Sequence, residues 1–105
     1  MKYKIVLELT AEREIAKSYQ WGEKNWGISQ TKKWYNSLMK AIAGLENFPN
    51  RHPLAPESKE FNIEIRQIVF QRYRVLFIVS DDTVYVLYFR DPYHDKKDGT
   101  DEIDE

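Results

Sequence analysis

The chain has 105 residues, 42% hydrophobic, 31% charged and 14% aromatic, with a formal net charge of −1. That length suits one domain with one core, and that composition excludes a disordered or collagen-like chain. Cysteine is absent and only two histidines are present, which excludes a disulfide framework and a thiolate zinc site, so no metal or cofactor is expected.

The N-terminal "MKYKIVLELT" alternates charged and apolar residues where a signal peptide carries an apolar block, and no apolar run reaches the ~18 residues of a membrane span. The expectation is a cytoplasmic chain without a membrane partner. Tyr3, Ile5, Leu7 and Leu9 fall at period two and predict a strand. Thr10 is a candidate helix cap, with Glu12 and Glu14 suited to the positive end of the helix dipole. Ile15, Tyr19, Gly22 and Trp26 then share one helical face, and Gly27 supplies a stop. A second helix is predicted from a Ser29 cap, with Trp34, Leu38, Ile42, Leu45 and Phe48 as its apolar stripe and Pro49 as its end. So short a link between two helices predicts an antiparallel hairpin.

"PNRHPLAPESKEFN" (residues 49–62) has three prolines and no periodicity, which reads as a connecting loop. Three strands follow, at about 63–70, 73–80 and 83–89, with Asp81 and Asp82 as a two-residue turn. The expected fold class is α+β, in the order β-α-α-β-β-β, with the helical hairpin on one face of a mainly antiparallel four-stranded sheet. On the middle strand of the last three, Tyr73, Val75, Phe77 and Val79 alternate with Arg74, Leu76, Ile78 and Ser80. One face must carry the helices. The other is left with arginines among large hydrophobes, which suggests a partner surface.

Residues 91–105 hold seven acidic and two basic residues, so residues 1–90 carry ten acidic and fourteen basic, a balance of +4. Residues 95–105 are expected to be an acidic flexible tail following a domain of residues 1–94. The tail's acidic spacing around Gly99 does not match an EF-hand loop.

The element order, the segment "FPNRHPLAPE", the run "IRQIVFQRYRVLFIV" and the closing "VYVLYFRD" resemble the RelE/ParE superfamily of type II toxin–antitoxin toxins, also called plasmid stabilisation proteins, over residues 1 to about 94. The resemblance implies a growth-inhibiting toxin held in a hetero-oligomeric complex by a cognate antitoxin. It implies one of two targets: DNA gyrase, or the ribosome, on which relatives cleave messenger RNA without a metal. In the nuclease members basic residues line the sheet face, with a His or Tyr near the end of the last strand. Arg66, Arg74, Arg90, Tyr93 and His94 occupy comparable positions here. Cleavage needs a base for the 2′-hydroxyl, fixed positive charge at the phosphate and an acid for the leaving oxygen. Arginine serves only the second, while His94 has the pKa for proton transfer and Tyr93 could donate or orient.

A protein-binding toxin would instead use Arg66, Arg74, Leu76, Ile78 and Arg90 as a contact surface. Each arginine also has a structural reading, its stem covering apolar surface or its charge pairing with a neighbour such as Glu64 or Asp82. Relatives often follow the strand-end arginine with His, and this chain has Asp91. That substitution and the mildly basic body favour the gyrase-directed reading over the nuclease. A relative that only binds antitoxin is a third possibility. His52 reads as a loop residue, and Trp21, Trp26 and Trp34 as helix packing.

Overall fold

The structure, a computed structural model, describes residues 2–92. In chain order these form β1 (Lys4–Leu7), α1 (Leu9–Asn25), α2 (Ile28–Ala43), two 3-10 turns (Gly44–Glu46 and Pro49–Arg51), α3 (Glu57–Phe61), β2 (Arg66–Phe70), β3 (Tyr73–Ser80) and β4 (Thr83–Arg90). The strand order is β1-β4-β3-β2, with β1 parallel to β4 and the other two pairings antiparallel. The expected β-α-α-β-β-β order and mainly antiparallel sheet are therefore observed, with one short helix inside the connection read as a loop.

Two helix starts differ from expectation. The chain enters α1 from Glu8 and α2 from Gly27, neither with a side-chain cap bond, so Thr10 and Ser29 do not cap. β1 stops at Leu7 because the Glu8 N–H still donates to Val86 O while the Glu8 carbonyl already accepts from Glu12. Leu9 is therefore the first helical residue, and it is exposed.

α1 buries Ala11, Ile15, Ser18 and Gly22, and α2 buries Thr31, Trp34, Leu38 and Ile42, both at the three-and-four spacing of one helical face. The hairpin between them turns on Gly27, whose φ of +94° suits glycine and strains other residues. Thr31 fixes the turn from the far side, donating through both its N–H and its hydroxyl to the Gly27 carbonyl. At Gly22 the helices approach closely: a Cβ there would lie 3.0 Å from Thr31 Oγ1. The apolar stripe of α2 continues to Leu45 in the first 3-10 turn but does not reach Phe48. Phe48 turns left-handed (φ +50°) and is 73% exposed, while Leu45 stays in the core.

The main core joins the helical faces to Tyr73, Val75, Phe77, Val84, Val86 and Phe89 of the sheet. Trp34 packs tilted or edge-on against Tyr73, Phe89 and Trp26, and Tyr73 stacks on Phe89 at 5.1 Å, which bears out the packing role read for the tryptophans. A smaller cluster of Ala55, Ile65 and Leu76 lies on the other sheet face, under the connection that contains α3. That connection is tied down by backbone. Ala55 N–H donates to Ile65 O, Gln67 N–H donates to Pro53 O, and the Ser58 hydroxyl both donates to Ile65 O and accepts from Ile65 N–H. The second face is thus half roofed.

Candidate functional site

Where the arginines point is decided by two local features of the ladder. The β2–β3 turn has two residues, Gln71 and Arg72, so Arg66 lies opposite Phe77 and shares the helix-covered face with it. Between β3 and β4 the register shifts. Phe77 pairs with Val86 but Leu76 pairs with Tyr88, leaving Leu87 as an extra residue. A bulge of this kind reverses the alternation beyond it. It turns Phe89 into the main core and brings Arg90 opposite Arg74 on the half-roofed face.

A single carboxylate sits between these two arginines. Glu57, in the first turn of α3, accepts from Arg74 Nη2 at 2.7 Å and Nη1 at 3.1 Å, and lies 3.9 Å from Arg90 Nε. Arg74 also donates to the Gln67 side-chain oxygen at 2.9 Å. The hydrogen bonds from Arg74 hold the Glu57 carboxyl below its ordinary pKa, against the opposing effect of burial, and the charge of Arg90 adds to the lowering. Arg90 itself lies 4.8 Å over the Tyr88 ring, and Tyr88 stacks on Phe61 at the end of α3. Sequence reasoning missed Glu57, because nothing in the period of a proline-rich segment says which of its acids meets the sheet.

The remaining sequence-predicted residues are dispersed. Arg66 donates to His52 O at 2.7 Å and lies 3.6 Å from Glu64, so it secures the connection from the helix-covered side and does not join Arg74 and Arg90. Burial first, then the charges of Arg51 and Arg66, push the His52 pKa below its ordinary value, and its ring meets Phe77 edge-on. Leu76 is fully buried beneath Ala55 and Ile65 and offers no contact surface. Ile78 is half-buried at the margin of that cluster. Tyr93, His94 and residues 95–105 lie outside the described residues.

Asp91 has a structural explanation. It is buried and accepts from the Ser18 hydroxyl at 2.7 Å, and one turn earlier in α1 the Glu14 carboxylate accepts the Phe89 N–H at 2.8 Å. Position 91 therefore points into the helix layer, away from the arginine pair. On that helical side a groove of about 830 Å³ runs between α1 and α2, lined by Leu7, Ile15, Tyr19, Tyr35 and Met39 among others.

The geometry can be compared with known proteins. A search of curated proteins finds no match. Among solved structures the chain is similar to the chromosomal ParDE TA system from P. aeruginosa, with a TM-score of 0.69 at 13% identity, covering 85% of this chain and 95% of that one. The family model described as "ParE toxin of type II toxin-antitoxin system, parDE" matches residues 5–91, a span that runs from β1 through Asp91 and takes in Glu57, Arg74 and Arg90. The chain belongs to the ParE toxin family of type II toxin–antitoxin systems.

Proposed function

We propose that this ParE-family toxin inhibits growth by acting on DNA gyrase in the cytoplasm, and that a cognate antitoxin neutralises it in a hetero-oligomeric complex. The observation that carries the choice of target is the state of the arginine pair. Metal-free RNA cleavage needs a proton acceptor and a proton donor beside the phosphate. Glu57 is the titratable carboxylate at the pair, and its lowered pKa keeps it ionised at neutral pH, so it cannot donate; held by Arg74, it is also a poor base. His52 lies with Arg66 and Phe77 on the opposite side. Among the described residues the pair has no imidazole beside it, and arginines set among the Tyr88 and Phe61 rings suit recognition of a protein better than cleavage of RNA.

For the antitoxin, the α1–α2 groove is the fitting site. The apolar part of its lining, set among Glu12, Gln20, Glu23, Lys32 and Asn36, and the edge strand β1 beside it suit an amphipathic extended or helical segment that orders on binding. Arg74, Ile78 and Arg90 remain the residues of the half-roofed face proposed to meet the partner or target, with Leu76 beneath them as support, while Arg66 on the other face secures the connection.

Purified protein added to gyrase supercoiling reactions and to translating ribosomes tests the assignment. Blocked supercoiling with intact messenger is the expected result. Messenger cleavage abolished by His94→Ala would replace it with the nuclease reading, with Arg74, Arg90, Tyr93 and His94 in catalytic roles. Activity in neither assay, with unimpaired bacterial growth at high soluble expression, would leave only an antitoxin-binding relative.

A further inference from the structure

We propose that Arg90, Tyr88 and Phe61 form the target-contacting surface, and that the group it receives is a protein carboxylate flanked by an apolar side chain. This rests on the reading above, that the toxin acts by binding a protein. The two arginines of the pair are not equivalent. Arg74 is consumed inside the molecule by two hydrogen bonds to Glu57 and one to Gln67. Arg90 makes only the long 3.9 Å approach to Glu57 and the contact with the Tyr88 ring, and among the described residues it donates no hydrogen bond. Its side chain is 28% exposed, and the ring beneath it limits its rotamers. It is a pre-oriented fork of donors that, among the described residues, meets no acceptor at hydrogen-bond distance.

The surroundings select the ligand. Phe61, 47% exposed, is stacked on Tyr88, and Val69, 64% exposed, sits opposite Arg74 in the ladder on the same face. Arg beside Tyr and Phe with exposed aliphatic surface is the composition of an interface centre. A phosphodiester strand fits poorly. One glutamate against two arginines leaves a single positive charge at the centre, and in the rest of α3 Glu60 is matched by Lys59. A polyanion needs several cations in a row, which this surface does not add to Arg90, whereas one carboxylate needs only Arg90.

The test uses the full-length chain carrying Arg90→Gln, Arg90→Lys, Tyr88→Ala or Phe61→Ala, with Lys24→Ala on the solvent face of α1 as control. Readouts are growth arrest on expression, half-inhibitory concentration against gyrase supercoiling, melting temperature, and binding of a fluorescent single-stranded RNA. Arg90→Gln and Tyr88→Ala should each raise the half-inhibitory concentration about tenfold or more, the loss of one interface anchor, and relieve arrest at unchanged expression. Arg90→Lys should recover only part, since an ammonium cannot form the planar two-point bond. Retained inhibition in all four variants would overturn the surface. RNA binding lost in Arg90→Gln would overturn the choice of a carboxylate. If wild type arrests growth without touching supercoiling, the gyrase reading fails by itself, and relief of arrest by Arg90→Gln still decides the surface. Should wild type not arrest growth, both readings fall. A variant that melts early is replaced by its milder form, Tyr88→Phe, which should keep inhibition because the cation–π contact survives.

Discussion

Arg74 and Arg90 stand directly opposite each other across the β3–β4 ladder and meet the same oxygen of Glu57, at 2.7 and 3.9 Å. Two like charges at that spacing repel unless an anion separates them, so Glu57 holds the face together as well as anchoring α3. Replacing it with Gln keeps the shape and removes the charge. Glu57→Gln should lower stability by about 1–3 kcal/mol at neutral pH, as for a hydrogen bond to a charged group in a partly buried site. Because folding lowers the Glu57 pKa, its stabilisation is full above the unfolded value of 4.5 and is lost as pH falls through the depressed folded value. Chemical denaturation across the acid range should therefore show a flatter loss of stability in the variant than in wild type.

His52 acts in the same direction in a higher window. Folding lowers its pKa, so the unfolded chain binds its proton first, and stability should begin to fall as pH drops below its ordinary 6.5. His52→Gln should remove the part of the decline that begins below its ordinary pKa of 6.5 while leaving the carboxylate part at lower pH. Paired denaturation series at closely spaced pH values will separate the two.

The helix crossing at Gly22 yields a contrast between two glycines. Gly22→Ala places a methyl 3.0–3.1 Å from Thr31 and Trp26, and Thr31 is fully buried and tied to the Gly27 carbonyl, so it cannot withdraw. A loss of about 1–3 kcal/mol is expected despite the better helix propensity of alanine. Gly44, with φ −63° and open space around its Cβ, should gain about 0.4–1 kcal/mol from the same change. Equilibrium unfolding of the two variants should move in opposite directions.

Ser18→Ala removes a donor from the buried Asp91 carboxylate and should cost about 1–3 kcal/mol. The readout that distinguishes this from a cavity is Ser18→Thr, which keeps the hydroxyl and should recover part of the loss.

The layering was legible because it follows from periods. Ile15, Trp34, Leu38 and Ile42 declare one helical face each, and the alternation from Tyr73 to Val79 declares the buried side of β3. Boundaries were less so. Thr10 and Ser29 carry the right chemistry for caps, yet Glu8 and Gly27 take those places because the strand pairing and the Gly27 turn set where each helix begins. The arginines show the difference most sharply. A two-residue turn at Gln71 and Arg72 already implies that Arg66 faces away from Arg74, so that separation could have been read from turn length. The Leu87 bulge could not. It sits inside an unbroken apolar run with no glycine to mark it, and it alone brings Arg90 to Arg74. Glu57 was hidden for another reason: its partner lies 17 residues further along the chain, and only the folded connection brings them together.

The parallel pairing of β1 with β4 joins the start of the chain to its end, Lys4 with Thr83 and Leu7 with Val86. Contacts of that sequence separation form late in folding, after the loops between them have closed. During synthesis β1 has no strand to pair with until residues 83–86 have been made, and Arg90, on the proposed contact surface, comes later still. A chain that stops before residue 83 therefore lacks the closed sheet, and one that stops before residue 90 lacks the proposed contact surface as well.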